Sequence, residues 1–129
     1  YVPYVKSNKL IFVSGQIPML NGELVTGKIG KNIEIEDAKT AARLCGLAIV
    51  SQLNEATDLD LDKIKRIVKL GGFVNCIDEF TQQPEIINGA SDLMVEVFGD
   101  KGKHSRFAVG TNSLPRNVVV EIEAVAEIH

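Results

Sequence analysis

Two hydrophobic periods divide this chain into strands and helices. A continuous apolar run at 9–15, a second apolar stretch at 64–76 and an alternating pattern at 118–128 predict three strands. Apolar residues three and four positions apart predict one helix over 35–56 and another over 84–98. Helices and strands in this arrangement are typical of an α+β domain.

Turn signals complete the order of elements. Asn21-Gly22 predicts a hairpin between 17–20 and 23–25, because this dipeptide favours the turn that fits the twist of paired strands. Residues 106–110 have an extended pattern, and Leu114-Pro115 marks a turn before the last strand. The predicted order is strand, hairpin, helix, strand, helix, strand, strand.

The strand at 64–76 carries apolar residues on both faces. A period of two places Val68, Leu70, Val74 and Cys76 on one face, and Ile67, Phe73 and Asn75 on the other. Gly71-Gly72 in its middle indicates a bulge or the close approach of another backbone.

Two helices in this order cover only one face of the sheet, because consecutive crossovers have the same hand. Small residues on the first helix, Ala38, Ala41, Ala42 and Gly46, indicate close packing on that sheet. A second apolar face exposed to water is unusual for a monomer. We therefore expect other subunits to bury it.

Composition places the chain among ordinary globular proteins and predicts one domain over 1–129. Its 129 residues are 45% hydrophobic and 24% charged. No apolar run reaches the length of a membrane span, so we expect no membrane partner. The net charge of −3 argues against a nucleic-acid partner. Two isolated cysteines and no leader segment predict a reducing, cytoplasmic location.

Metal and thiol chemistry have little support in the sequence. His104 and His129 are far apart, and the chain has no spacing typical of metal ligands, so we interpret both as exposed histidines and expect no metal. Cys45 and Cys76 lie on apolar segments and are interpreted as small core residues.

Charged residues in the C-terminal third are better candidates for chemistry. Arg106 lies in an extended segment, and Glu121 and Glu123 interrupt an apolar strand. These carboxylates either form the solvated side of an edge strand or, with Arg106, make a pocket that grips a carboxylate and moves protons. The pattern does not decide which glutamate faces such a pocket, since the two point the same way.

Five short features of the chain form a recognisable set. They are 14–18 (Ser-Gly-Gln-Ile-Pro), Asn88, Arg106, 114–115 (Leu-Pro) and 120–126 (Val-Glu-Ile-Glu-Ala-Val-Ala). Across almost the whole chain the sequence resembles the Rid/YjgF family of reactive-intermediate (enamine and imine) deaminases. Older names of this family include translation inhibitor and endoribonuclease L-PSP. The resemblance implies a chorismate-mutase-like α+β fold, with a mixed sheet and two helices on one face. It also implies a homotrimer with a central barrel and three sites in the clefts between subunits.

The resemblance also implies roles for individual residues. Arg106 corresponds to the arginine that binds the substrate carboxylate, and Glu121 to the glutamate that positions or activates water. Ser14, Gly15 and Asn88 correspond to residues that line the same cleft.

At two further positions the correspondence with the family is less direct. For the N-terminal tyrosine of the family, Tyr4 is the first choice and Tyr1 the second. The family's Arg-x-Cys is replaced here by Arg106-Phe107-Ala108, which indicates a side branch without the thiol. The backbone N–H groups of Gly15 and Ala108 are candidate hydrogen-bond donors to substrate.

The leading hypothesis is hydrolytic deamination of reactive enamine or 2-imino acid intermediates to 2-oxo acids and ammonia, without a metal or organic cofactor. The first alternative is a trimer that binds small 2-oxo acids or other carboxylates without turnover, which the missing thiol favours. The second alternative is a ribonuclease or translation inhibitor, against which the net charge and the few aromatic residues argue.

Overall fold

The computed structural model describes residues 1–129 and contains seven strands and two long helices. The strands are β1 (Tyr4–Ser7), β2 (Leu10–Gln16), β3 (Met19–Leu20), β4 (Glu23–Leu24), β5 (Ile64–Asn75), β6 (Ser105–Thr111) and β7 (Val120–Ile128). The helices are α1 (Ile35–Ala56) and α2 (Gln83–Phe98). Five strands form one mixed sheet in the order β1-β2-β7-β5-β6, whereas β3 and β4 form a separate hairpin.

This topology confirms the predicted α+β class and adds one strand. β5 and β6 are parallel and joined through α2, and the other pairs of the sheet are antiparallel. The sequence analysis missed β1, which pairs with β2 from Ser7 opposite Leu10. Its four residues are too few to show a period, so its pairing with β2 is what makes it a strand.

The two helices pack against each other through glycine as well as against the sheet. A Cβ on Gly46 of α1 would approach Ala90 and Leu93 of α2, and a Cβ on Gly89 of α2 would collide with the carbonyl of Lys39. The prediction that Gly46 packs on the sheet is therefore wrong, because this glycine faces the second helix. Close helix contact seals one side of the core.

The core lies between the helices and one face of the sheet. On β7 the predicted alternation is confirmed, since Val120, Ile122, Ala124 and Ala126 are buried under the helices. Val119, which the alternation assigns to the polar face, is also fully buried, because it precedes the strand and is held by the backbone of Asn75.

The face assignment on β5 is wrong at Ile67. Irregularities in its pairing with β7 fall between Ile64 and Arg66 and between Ile67 and Lys69. Each irregularity shifts the alternation, so Ile67 is buried on the same side as Leu70.

The glycine pair in β5 lies in regular pairing, so the predicted bulge at Gly71-Gly72 is wrong. A close approach does occur there, but by side chains: a Cβ on Gly71 would meet Phe107 and Glu123, and a Cβ on Gly72 would meet Ile87 of α2. The two glycines therefore show which residues lie on each side of the sheet. Phe107 and Glu123 lie on the side opposite the helices.

We call this side, opposite the helices, the open face. It exposes large apolar side chains: Val5 is 53% exposed, Phe12 44%, Phe73 38% and Val109 43%. Phe73 also packs edge-on against Phe107, with 5.2 Å between the ring centroids. Neither helix is both long and apolar enough to cross a membrane.

Candidate active site

A β-bulge at the end of β2 shapes one part of the candidate site. The pairing of β2 with β7 is regular up to Val13 and resumes at Gln16, so Ser14 and Gly15 together lie opposite the single residue Glu123. A bulge of this kind bends the strand and redirects its side chains. The Ser-Gly-Gln segment singled out in the sequence is therefore the place where the sheet edge is deformed.

Glu121 extends across this bulge. A Cβ on Gly15 would collide with the carboxylate oxygen Oε2 of Glu121. Only glycine therefore leaves room for this carboxyl group in its present position. Glycine is therefore needed at position 15 to leave space for Glu121, independently of any role of the Gly15 backbone N–H group.

The Glu121 carboxyl opens onto a cleft of about 510 Å³, which we call the Glu121 cleft. It is lined by Tyr1, Ser14, Gly15, Ile17, Pro115, Arg116 and Glu121. Its volume lies within the range of small-molecule sites.

The Glu121 carboxyl has no cationic partner in the chain. None of the salt bridges involves it. Burial raises the pKa of Glu121, and the neighbouring charge of Glu123 raises it further. A carboxyl group with a raised pKa exchanges protons closer to neutral pH, which suits a general acid or base.

The raised pKa predicts a pH-dependent effect of Glu121→Gln on stability. The folded chain disfavours the ionised carboxyl, so the parent loses stability as pH rises from the unfolded-chain pKa, about 4.3, through the folded pKa. Glutamine cannot ionise. We expect its melting temperature to exceed that of the parent by about 1–3 °C at pH 8, a small effect because the group remains partly solvated.

Thermal unfolding at pH 4 and pH 8 checks this expectation. The difference between the two proteins should shrink strongly at pH 4, where the carboxyl is mostly protonated in both the folded and unfolded chains. Glu123→Gln is the matched control and should give a smaller gain in the same direction. A lower melting temperature for Glu121→Gln at pH 8 would contradict the assignment.

Arg106 belongs to a second group of polar residues, between β6 and α2. Its Nη1 donates to Oδ1 of Asn88 at 2.7 Å and to Oγ of Ser91 at 3.1 Å. These two bonds use both hydrogens of Nη1. The Nε and Nη2 side of the guanidinium is left to bind a carboxylate with two hydrogen bonds.

His104 extends this network, contrary to its interpretation as an exposed loop histidine. Its Nε2 lies 2.9 Å from Oγ of Ser91, and its Nδ1 lies 2.6 Å from the carbonyl oxygen of Gly102. A carbonyl oxygen only accepts, so Nδ1 of His104 donates to Gly102, and Oγ of Ser91 accepts from Arg106. We call Arg106, Asn88, Ser91 and His104 the Arg106 group.

The sequence analysis did not find Ser91 or His104 as partners of Arg106. The signal available was spacing: Asn88 and Ser91 lie three residues apart and therefore on the same face of α2. Which strand residue that face meets depends on how the helix lies on the sheet, which the sequence pattern does not give.

The structure does not bring Arg106 and Glu121 together within one chain. Arg106 lies on the helix side of edge strand β6, where it contacts α2. Glu121 pairs with Phe73, on the open face, and β5 separates the two strands. The candidate residues therefore form two separate groups on opposite faces of the sheet.

The remaining expected site residues divide between these locations. Ser14 and Gly15 lie at the Glu121 cleft, where the Ser14 hydroxyl donates to the carbonyl of Val2 at 2.6 Å. Ala108 lies two residues after Arg106 on the helix side of β6 and packs against the core.

Tyr4, the first choice for the N-terminal tyrosine, lies in neither group within the chain. It pairs with buried Val13 and packs against the core on the helix side. Tyr1, the second choice, lines the Glu121 cleft instead. Strand β1 directs alternate side chains to opposite faces, and the sequence did not reveal that strand.

No group of histidine, cysteine and acidic side chains is arranged to hold a metal ion. Cys45 and Cys76 are buried, as expected of core residues. Burial raises the pKa of the Cys45 thiol, and the charge of Glu121 adds to that effect. Cys45 is therefore protonated and poorly suited to act as a nucleophile.

Comparison with known proteins identifies the fold and the family. Residues 1–128 match the family model described as "YjgF/chorismate mutase-like, putative endoribonuclease". The chain belongs to the YjgF family. Protein TCP17 of Trypanosoma cruzi is 44% identical to it over 131 residues, which cover 100% of this chain and 81% of that protein.

Solved structures agree with this YjgF-family assignment. Atu1372 of Agrobacterium tumefaciens, a protein of unknown function, has a TM-score of 0.97 at 47% identity, covering 100% of this chain and 82% of its own. E. coli TdcF with bound serine has a TM-score of 0.68 at 26% identity, covering 100% of this chain and 88% of its own. The family resemblance and the chorismate-mutase-like fold expected from the sequence are confirmed.

Proposed function

We propose that this YjgF-family protein hydrolyses enamine or 2-imino acid intermediates to 2-oxo acids and ammonia, in clefts shared between copies of the chain. The observation that carries the proposal is the Glu121 carboxyl, which has no cationic partner, has a raised pKa and opens onto a cleft of about 510 Å³. A proton-exchanging carboxyl next to space for a small molecule is what imine hydrolysis needs.

The chemistry requires few groups. Arg106 binds the substrate carboxylate through its free Nε and Nη2 edge. Glu121 accepts a proton from water as the water oxygen bonds to the carbon of the protonated imine, which gives a neutral carbinolamine. Glu121 then returns the proton to the nitrogen. The carbon–nitrogen bond breaks with its electron pair on nitrogen, Glu121 takes the hydroxyl proton as the carbonyl forms, and a 2-oxo acid and ammonia leave. Ammonia then takes this proton as ammonium, which restores the carboxylate. Atoms and charge balance without an oxidant, a reductant or a metal.

A second copy of the chain is needed because Arg106 and Glu121 lie on opposite faces of one sheet. The open face exposes Val5, Phe12, Phe73 and Val109, which a partner would remove from water. Because β6 is an edge strand, a neighbouring copy that packs on this face and against that edge would bring its Glu121 cleft towards the Arg106 group. Together with the family resemblance, this favours the homotrimer with a central barrel.

The family relative TdcF is compatible with this substrate class. It was solved with bound serine, a small molecule with a carboxylate. A carboxylate ligand is what the free edge of Arg106 is suited to bind.

We expect a trimer in solution. Light scattering at micromolar concentration should give about three times the chain mass of 14.0 kDa. Phe73→Glu should weaken the assembly, because it places a charge among the apolar side chains of the open face. A parent mass near that of one chain would contradict both the assembly and the shared site.

Mixing two inactive variants tests the shared site directly. Arg106→Ala and Glu121→Gln are unfolded together, refolded and assayed for ammonia release from an enamine generated in the cuvette. In a randomly mixed trimer about a quarter of the clefts combine an intact Arg106 with an intact Glu121 from another copy. Activity should therefore return to about that fraction of the parent, whereas each variant refolded alone should stay far below that level. No recovery in mixed trimers would contradict the shared cleft.

One observation favours a second candidate function, the binding of 2-oxo acids without turnover. Ala108 occupies the place of the cysteine in Arg-x-Cys, so the Arg106 side of the cleft has no thiol. A parent protein that binds 2-oxo acids yet releases no ammonia from a fresh imine would support this alternative.

A further inference from the structure

The loop before β7 contains a turn that its sequence does not favour. Arg116 and Asn117 both have positive φ angles, of 57° and 59°. The N–H of Val118 donates to the carbonyl of Pro115 at 3.2 Å, which closes a four-residue turn. Two left-handed central residues define a type I′ turn, whose first central position is usually asparagine, aspartate or glycine.

Contacts with the sheet hold this turn in place. Nδ2 of buried Asn75 donates to Oδ1 of Asn117 at 3.3 Å and to the carbonyl of Val118 at 3.1 Å. The N–H of Gly27 also donates to the carbonyl of Asn117. Arg116 is therefore held in a backbone conformation that is strained for a side chain with a Cβ.

The strained residue lines the Glu121 cleft. Arg116 lies with Glu121 and Ser14 among the residues around this space. Its guanidinium has neither a hydrogen bond nor a salt bridge with any side chain or carbonyl of the chain. By contrast, Nη1 of Arg106 is fully engaged by α2. The Glu121 cleft therefore has a free cation of its own.

We propose that Arg116 binds a second anionic group of the substrate, so that the preferred substrates are 2-imino dicarboxylates, whose side chain ends in a carboxylate. This inference rests on the proposed function, in which Arg106 binds the first carboxylate. Two guanidinium groups and one carboxylate around the shared cleft match a substrate with two carboxylates and a protonated imine. Residual strain in the turn is tolerable if the guanidinium serves binding.

Binding of two 2-oxo acids of equal length tests the inference. 2-Oxoglutarate and 2-oxopentanoate have five carbons each and differ only in the distal carboxylate. Calorimetry on the parent should show that 2-oxoglutarate binds about tenfold more tightly or better, the gain expected from a charge-assisted hydrogen bond. In Arg116→Asn this preference should disappear, and in Arg116→Lys it should persist in part.

The same variant separates binding from folding. Asparagine is better suited than arginine to a left-handed turn position, so Arg116→Asn should melt at a higher temperature than the parent while it loses the preference. A gain in stability together with a loss of specificity is not expected of a residue that only builds the turn.

The outcomes distinguish this inference from the proposed function. Equal affinity of the parent for both acids, or an unchanged preference in Arg116→Asn, would overturn the role of Arg116 and leave the proposed function standing. Absence of binding of either acid to the parent, together with no ammonia release from a fresh imine, would overturn both. Loss of affinity for both acids alike in Arg116→Asn would also overturn the inference, because the arginine would then not act on the distal carboxylate.

Discussion

Replacing Glu121 with glutamine should slow imine hydrolysis by about 10²-fold or more, because an amide cannot accept and return the proton of the attacking water. The shape of the cleft should survive, since glutamine fills the same space above Gly15. Binding of a 2-oxo acid should also survive, because Arg106 and its partners Asn88 and Ser91 are untouched. The measurement is ammonia release from an enamine generated in the cuvette, beside calorimetry with the 2-oxo acid.

Glu123→Gln is the matched control for this variant. Glu123 lies two residues further along β7, on the same face, but it is opposite the bulge and does not line the Glu121 cleft. Its replacement should leave the rate nearly unchanged. A larger loss in Glu123→Gln than in Glu121→Gln would show that Glu123, and not Glu121, transfers the proton. Equal rates for Glu121→Gln and the parent would leave a binding protein, or an enzyme that only orients water.

Arg106→Ala should abolish detectable binding of small 2-oxo acids while the chain stays folded. The loss of a charge-assisted contact with a desolvated carboxylate costs about 2–5 kcal/mol. Arg106 is only partly buried and on an edge strand, so its removal leaves the core under α1 and α2 intact. Calorimetry measures the affinity, and circular dichroism checks the fold.

Arg106→Lys separates charge from geometry in the same assay. An ammonium group keeps the charge but cannot make two parallel hydrogen bonds to a carboxylate. Lysine also lacks a second nitrogen that could bind the carboxylate while the first donates to Asn88 and Ser91, as Nη1 of Arg106 does. It should recover only part of the affinity. Undiminished affinity in Arg106→Ala would show that the carboxylate binds elsewhere.

Much of the candidate site could be selected from the sequence, but not its arrangement. An interrupted apolar pattern or the family resemblance indicates each of the candidate residues Arg106, Glu121, Ser14, Gly15 and Asn88. The pattern could not place Arg106 and Glu121 on opposite faces, because that depends on which strands are neighbours. It also left Glu121 and Glu123 equivalent, and the bulge at β2 makes them different.

The elements that could be predicted from the sequence alone are those set by interactions between residues close together in the chain. α1 covers the predicted residues because its apolar spacing is local, and the hairpin at Asn21-Gly22 forms because both residues accept positive φ angles of 53° and 81°. The alternation of β7 is likewise a property of successive residues.

The tertiary structure decided everything that depends on contacts between distant segments. Pairing irregularities turned Ile67 inwards, and packing of α2 on β6 joined His104 and Ser91 to Arg106. A turn pinned by Asn75 brought Arg116 to the Glu121 cleft. A bulge moves side chains from one face of a strand to the other, and the position of a helix decides which strand residues it contacts. Both are stabilised by partners tens of residues away in the sequence, so no local periodicity predicts them.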